Sequence, residues 1–275
     1  MITSLNLYKD KITKLESLLP GISNNFRFYL KKALNYSDSS IILSDDIYVS
    51  DQEASLIEEF INLSKKQVPI EYILNDSEFY GRNFYVDNRV LIPRDETELI
   101  IDILLDQDIK NTSKIIDLGT GSGCLGISIA LELPESSVLG VDKYLDAIDV
   151  AIKNKDIHKV SNFNVKQSDW FSNVNEENFE FVVSNPPYIE STDIHLKNLN
   201  HEPRSALVSL EKGLLDLKKI CSQAYNKLKK DGILILEHGY NQADDVKKIM
   251  ELNNYSEIEN FKDYHLHPRI TLGKK

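Results

Sequence analysis

Apolar residues recur along this chain with two periods, and the change from one to the other divides it. Over the first 75 or so residues the spacing is helical. Leu15, Leu18 and Leu19 mark an apolar face that stops at Pro20-Gly21. A second helix is predicted from Ser23 to about Tyr36, with Phe26, Tyr29, Leu30 and Ala33 on one side. A third opens at Ser50, where Ser50-x-x-Glu53 is a capping-box signature, and carries Leu56, Ile57, Phe60 and Ile61. Pro69 starts a shorter apolar turn over Ile70 to Leu74. From Phe79 alternation takes over. Phe79 to Val86 and Val90 to Ile92 flank the turn pair Asp87-Asn88, which predicts a β-hairpin. Thr97 to about Leu105 reads as an amphipathic helix.

Beyond it, strand and helix alternate, the pattern of a parallel sheet covered on both faces. The predicted strands are Ile115–Leu118, Val138–Val141, Phe163–Lys166, Phe179–Ser184 and Ile233–Glu237. Helices start near Cys124, Ala147, Leu214 and Ala243, and Glu257–Phe261 with Arg269–Leu272 form a closing antiparallel pair. The expected domains are a helical bundle over residues 1–77, a β-hairpin linker over 78–95 and an α/β domain over 96–275. The bundle serves either as a packing cap or as a recognition surface for a macromolecular substrate.

Ligands in such sheets bind outside the carboxyl ends of the strands. Polar groups fall on four of those ends. The first strand runs into Asp117-Leu118-Gly119-Thr120-Gly121-Ser122-Gly123, a loop that lets a ligand approach the backbone and opens a helix with free N–H groups. Asp142 follows the second strand, placed either to accept two ribose hydroxyls or to cap a helix. Asp169 and Trp170 follow the third, as an acceptor for an adenine amine and a face for its ring, or in Trp170's case as core. The fourth ends in Ser184-Asn185-Pro186-Pro187-Tyr188-Ile189. Each proline fixes its own φ and keeps the residue before it extended, and neither has an N–H to offer. The result is a rigid shelf of acceptors suited to a planar NH2 group, with Tyr188 to cover its flat face. The loop lacks the Gly-x-Gly-x-x-Gly pyrophosphate cradle and any Gly-Lys-Ser/Thr triphosphate signature. A nucleoside without phosphates fits better, and S-adenosylmethionine is such a ligand.

Composition sets the partners. The chain has 275 residues, 41% of them hydrophobic, and 43 acidic against 32 basic side chains, net charge -11. That balance tilts against a phosphate backbone, so no direct nucleic-acid binding is expected. Cys124 and Cys221 lack metal-ligand spacing and read as buried filler in a reducing cytosol. His265 and His267 alternate without a further ligand at a usual spacing and read as surface residues, so no metal is expected. Lys9, Asp10, Lys11 and Lys14 break the N-terminus, which is no signal peptide, and no apolar run approaches bilayer length. The expectation is a cytoplasmic monomer with no membrane contact.

In order along the chain, Asp117–Gly123, Asp142 and Asn185–Tyr188 resemble the motifs of class I S-adenosylmethionine-dependent methyltransferases, Rossmann-like α/β proteins with a mostly parallel seven-stranded sheet. More narrowly, the chain resembles the HemK/PrmC family, the peptide chain release factor N5-glutamine methyltransferases. Leu91-Ile92-Pro93-Arg94-x-Glu96-Thr97-Glu98, Pro69-x-Glu71-Tyr72-Ile73 with Phe79-Tyr80-Gly81, Glu202-Pro203 with Ala206-Leu207 and Gly213-Leu214, and Leu236-Glu237-His238-Gly239 extend the likeness over roughly residues 65–240. Two segments depart from it: Asn75 stands where members often carry glycine, and Lys262 to Arg269 replaces a more glycine-containing turn. The resemblance implies that Gly119, Thr120, Gly121, Ser122, Gly123, Asp142, Trp170 and Asn185 contact the methyl donor. It implies that Asn185, Pro186, Pro187 and Tyr188 hold a glutamine side chain, with Asn185, Pro186 and Tyr188 carrying the transfer. The implied partner is the Gly-Gly-Gln loop of a release factor. The main rival is N6-adenine methylation of DNA or RNA, since the same shelf can hold an exocyclic amine. Others are a glutamine in a ribosomal protein and an adenosine-binding module with a decayed site.

Overall fold

A computed structural model describes residues 3–42, 47–107, 109 and 112–275; residues 1–2 and 43–46 of the expected bundle and 108, 110 and 111 of the expected α/β domain lie outside this range. The chain forms two compact units, Met1–Asp76 and Ser77–Lys275.

In the first unit, strand β1 (Thr3–Ser4) pairs antiparallel with β2 (Tyr48–Val49). Around them run α1 (Leu5–Leu15), α2 (Ile22–Leu34), α3 (Asp38–Ile42), α4 (Asp51–Lys65) and α5 (Ile70–Leu74). The core is Leu5, Ile12, Phe26, Leu30, Ile57, Phe60 and Ile61, with the Phe60 ring 5.6 Å from Phe26 and 4.7 Å from Tyr29. The capping box predicted at Ser50 is present: Ser50 Oγ accepts from Glu53 N at 3.2 Å and Glu53 Oε2 from Ser50 N at 2.7 Å. Two expected core positions are corrected. Leu18 is 75% exposed, because α1 ends before it and the stripe that packs is Leu5, Tyr8 and Ile12. Ala33 is exposed as well, since Phe26, Tyr29 and Leu30 already fill that face of α2.

The second unit opens with a hairpin, β3 (Ser77–Phe79) and β4 (Arg82–Phe84). Its turn is Tyr80-Gly81, both at positive φ, and not Asp87-Asn88 as the sequence pattern suggests. The Asp87 carboxylate instead accepts from the Arg89 backbone N–H and guanidinium, which makes a local turn without a following strand. Helix α6 (Asp95–Leu105) leads into β5 (Lys114–Leu118), α7 (Cys124–Glu132), β6 (Ser137–Asp142), α8 (Leu145–His158), β7 (Phe163–Gln167) and β8 (Phe179–Ser184). Two short 3-10 turns and α9 (Leu210–Gly213) precede α10 (Leu215–Lys227), β9 (Leu228–Glu237), α11 (Ala243–Leu252), β10 (Ser256–Lys262) and β11 (Pro268–Lys274).

Seven strands form one sheet in the order β10-β11-β9-β8-β5-β6-β7, and β11 alone runs against the rest. Strand alternation sorts the core by face. Ile115, Val183 and Ile235 pack with Ile100, Leu104, Leu125 and Ile129 of α6 and α7. Ile116, Val182, Leu234 and Leu236 pack with Leu217, Ile220 and Val246 of α10 and α11. Burial pushes the Cys124 and Cys221 thiols up to about 12, so neither is a nucleophile at neutral pH. Chain order reverses at β5, between β6 and β8, so the crevice for a ligand opens at its carboxyl end. Among the described residues no helix is long and apolar enough to cross a membrane.

Removing the α4 cap tests the first unit alone. Ser50→Ala should cost about 1 kcal/mol of stability in urea denaturation. An unchanged midpoint would mean the capping box contributes nothing.

Candidate active site

The glycine loop after β5 is held from two sides by carboxylates. From within, buried Asp117 Oδ2 accepts from Thr120 Oγ1 at 2.6 Å and from Gly126 N at 3.1 Å. From the rim, Asp142 Oδ2 accepts from Gly121 N at 3.0 Å, while its Oδ1 accepts from Tyr144 N at 3.0 Å. Gly119 and Thr120 donate their N–H groups to the Val141 carbonyl, and Gly119, Gly121 and Gly123 all have positive φ. The loop is therefore folded in advance of any ligand. At Gly119 the nearest atom to an added Cβ is Trp170 Cζ3, 3.4 Å away, so the glycine leaves its backbone exposed beside the indole. Trp170 itself donates Nε1–H to Asp216 Oδ1 at 3.3 Å, and Asp216 also takes the Ser209 hydroxyl at 2.6 Å.

A cavity of about 240 Å3 opens here, lined by Gly119, Gly121, Asp142, Asp169, Trp170 and Asn185 among others. A second, of about 50 Å3, adjoins it through Gly119, Gly121 and Asn185 and reaches Arg94, Thr97 and Ser122. Over them, Glu202 Oε2 accepts from Ile92 N at 3.0 Å and Oε1 from Arg94 Nη2 at 2.5 Å, which ties the segment before α6 to the loop after β8. A larger hollow of about 420 Å3 lies at the amino ends of the strands. Its Lys229 and Lys274 are paired with Glu180 and Glu257, and it is at the wrong edge of the sheet for a ligand.

Of the predicted residues, Gly119, Gly121, Asp142, Trp170, Asn185 and Pro187 line the larger cavity, and Thr120 and Ser122 the smaller. Gly123, Pro186 and Tyr188 line neither. Gly123 is packed against Ile127 and Ala151, where even a Cβ would come within 3.1 Å of a side chain. Asp169 pairs with Lys143 at 2.8 Å. Tyr188, expected as a cover over a flat amide, sends its hydroxyl inward to Glu237 Oε1 at 3.0 Å, and burial pushes its phenol far up.

Sequence reasoning gave no role to Thr97 and Glu237, yet both stand directly behind the shelf. Asn185 Nδ2 donates to Thr97 Oγ1 at 2.9 Å, and Thr97 Oγ1 donates to Glu237 Oε2 at 2.6 Å. Both are buried. The signal was available for Glu237, an acid at the carboxyl end of a fifth strand. Among the described residues nothing donates to Asn185 Oδ1 or to the Pro186 carbonyl.

The chain is similar to known proteins over most of its length. Residues 95–215 match the family model described as methyltransferase small domain. The release factor glutamine methyltransferase of Salmonella typhimurium is 36% identical over 228 residues, covering 82% of each chain. That of Fusobacterium nucleatum is 38% identical, covering 89% of this chain and 69% of its own. The chain belongs to the release factor glutamine methyltransferase family. A bifunctional methyltransferase of Rickettsia bellii is 35% identical over 91% of this chain, which spans about half, 51%, of that longer protein. A solved methyltransferase of Pyrococcus furiosus has the same fold, with a TM-score of 0.55 at 15% identity over 82% of this chain and 99% of that one.

The methyl donor of the family is S-adenosylmethionine. The residues present fit it. The larger cavity offers a side-chain-free backbone wall at Gly119 and Gly121, the Trp170 ring and Asp142, which makes no ion pair among the described residues. Its cations Arg89, Lys143 and Lys219 are each matched by a carboxylate, so none is left to seek a phosphate.

The carboxylate under the loop gives a pH signature. Burial pushes the Asp117 carboxyl up to about 7, against the pull of its bonds to Thr120 and Gly126, with Asp142 adding to the rise. A carboxyl raised by folding holds its proton more tightly in the native state. Its stabilisation is complete below the unfolded value of 3.8 and is lost as pH rises toward 7. Between those limits the wild type should lose on the order of 1–4 kcal/mol relative to Asp117→Asn. Urea denaturation across the range checks this, and parallel curves for the two proteins would contradict it.

Proposed function

We propose that this chain transfers the methyl group of S-adenosylmethionine to the side-chain amide nitrogen of the glutamine in the Gly-Gly-Gln loop of a peptide chain release factor. The observation that carries the reading is Asn185. Its NH2 is committed to Thr97, so its Oδ1 is left as the acceptor at the wall shared by the two cavities.

Gly119 and Gly121 would take the donor's amino-acid part, Asp142 its ribose hydroxyls, and Trp170 its adenine. Thr120, Ser122 and Gly123 shape the loop that holds it. When bound, the donor supplies an electrophilic methyl group on a sulfonium that becomes neutral as the methyl leaves. The rest falls to the chain. An amide nitrogen is a poor nucleophile, because its lone pair is delocalised into the carbonyl. Asn185 Oδ1 and the Pro186 carbonyl accept the two N–H bonds, orient the lone pair and stabilise the positive charge that nitrogen gains. Pro187 and the Tyr188 ring keep the shelf rigid. No general base is required, since the proton can leave to water once the nitrogen has gained charge. Glu190 is exposed, and Asp193 is engaged with His195.

The helical unit would recognise the release factor. Its exposed apolar side chains Leu7, Phe28 and Tyr48 suit a protein partner better than a nucleic acid. We place the reaction in the cytoplasm, carried out by a monomer without nucleic-acid or membrane contact.

Mass spectrometry of a purified release factor incubated with the chain and labelled donor tests the reading. Label should appear on the loop glutamine, whereas label in added DNA or RNA would overturn it. Asn185→Ala should lower kcat by about 100-fold or more while the protein stays folded and binds the donor. Turnover near that of the wild type would refute the role of Asn185.

A further inference from the structure

The hydrogen bonds behind Asn185 have a direction. Thr97 Oγ1 has one proton and lies between Glu237 Oε2, at 2.6 Å, and Asn185 Nδ2, at 2.9 Å. An ionised carboxylate only accepts, so the Thr97 proton goes to Glu237. Thr97 Oγ1 then has only lone pairs to offer, and Asn185 must turn its NH2 toward it. That leaves Oδ1 for the substrate. The Tyr188 hydroxyl donates to the other oxygen of the same carboxylate, at 3.0 Å. Both ends of the Asn185–Tyr188 shelf are thus set by one buried group.

A proton on Glu237 removes this direction. The acid can then donate to Thr97, which frees the Thr97 proton for Asn185 Oδ1. The amide turns over and presents NH2 where an acceptor is needed. Two NH2 groups then face each other, and the substrate amide is no longer held. We infer that Glu237, acting through Thr97, decides whether Asn185 accepts from or donates to the substrate, so that Glu237 is a positioning residue whose ionisation switches the shelf on. The inference rests on the glutamine-amide reading above.

The packing withdraws both groups from bulk water. Glu237 is 1% exposed and Thr97 4%, so bulk water does not substitute for either. Leu236 pairs with Ser184 across β9 and β8, which puts Glu237 beside Asn185 in register. The groups that face Glu237 come from every neighbouring element. Tyr188 comes from the segment after β8, Thr97 and Glu96 from α6, and Arg269 from β11, where Ile270 pairs with Glu237. Burial is the largest influence and Glu96 adds to it, while Thr97, Tyr188 and Arg269 oppose; the carboxyl is raised to about 7. Arg269 is itself bonded to Asp263. His238, next along the strand, is engaged by the Gly239 carbonyl and Thr271 Oγ1, and burial holds its imidazole below the ordinary value. Glu237 is therefore a group bonded to the shelf whose charge changes near neutral pH; Asp117, raised to the same range, bonds to Thr120 and Gly126 of the glycine loop instead.

The test is methyl transfer to a purified release factor across the neutral pH range, with wild type, Thr97→Ser, Thr97→Val and Glu237→Gln. Folded fraction is checked by circular dichroism and donor affinity by calorimetry. At saturating donor, wild-type kcat should rise through an ionisation near 7 that is absent in Glu237→Gln. Thr97→Ser keeps the hydroxyl and should stay within about threefold of wild type with the same profile, whereas Thr97→Val should lose about tenfold or more in kcat at unchanged donor affinity. Glu237→Gln mimics the protonated acid and should hold kcat, at every pH, near the low-pH level of the wild type. Equal activity of the folded Thr97 variants, a flat wild-type profile, or a wild-type profile in Glu237→Gln would overturn the inference alone. A wild type inactive on glutamine at every pH would overturn the functional reading, and this inference with it.

Discussion

A carboxylate at the end of β9 is out of reach of water, and the residues around it are arranged to answer it. Glu237 has two oxygens and receives two hydroxyl protons, from Thr97 and Tyr188. An unanswered charge at that depth would cost several kcal/mol. Satisfying it draws α6, β8 and β9 together at one point and leaves Asn185 with a single acceptor to offer. On the proposed reading, local stability and substrate chemistry share a group. The shelf is rigid because the carboxylate needs its partners, and it accepts because those partners point inward.

The glycine loop is held in the same way. Asp117 and Asp142 grip the glycine loop from beneath and from the rim, so its shape precedes the ligand. Gly213 carries the requirement further along the chain. A Cβ there would lie 2.0 Å from the Tyr188 carbonyl, so only glycine lets that carbonyl pass close enough to meet Gln242 Nε2 at 3.0 Å. The motif is thereby fixed at its backbone as well as at its side chains. Glu202 closes the roof by a comparable device, joining two segments about a hundred residues apart in sequence. Little reorganisation remains for the moment of transfer, which is where a reaction that depends on positioning gains its rate.

Much of this was legible in the residues alone. The strands of the sheet are continuous apolar runs between glycine, proline and polar clusters, and such runs have few alternatives. The polar groups at strand ends were found because topology sends ligands there. What escaped did so for physical reasons. The hairpin turn was misplaced because Asp87-Asn88 is the stronger turn signal, while Tyr80 adopts a positive φ that tyrosine rarely takes. Leu18 was misread because a helical stripe does not announce where its helix stops. The partner of the Tyr188 hydroxyl also escaped, because it is a buried acceptor 49 residues on. Thr97 and Glu237 are 140 residues apart, and a hydrogen bond over that separation leaves no local pattern. The resemblance to a family placed both residues inside motifs without saying what either does.

The most direct measurement is a crystal structure of the chain with S-adenosylhomocysteine and a Gly-Gly-Gln peptide, grown at mildly alkaline pH. The account predicts the glutamine NH2 on Asn185 Oδ1 and the Pro186 carbonyl, with the donor's sulfur facing that nitrogen and Asn185 Nδ2 still on Thr97. A glutamine amide seated away from Asn185, or an Asn185 that meets it through NH2, would contradict it.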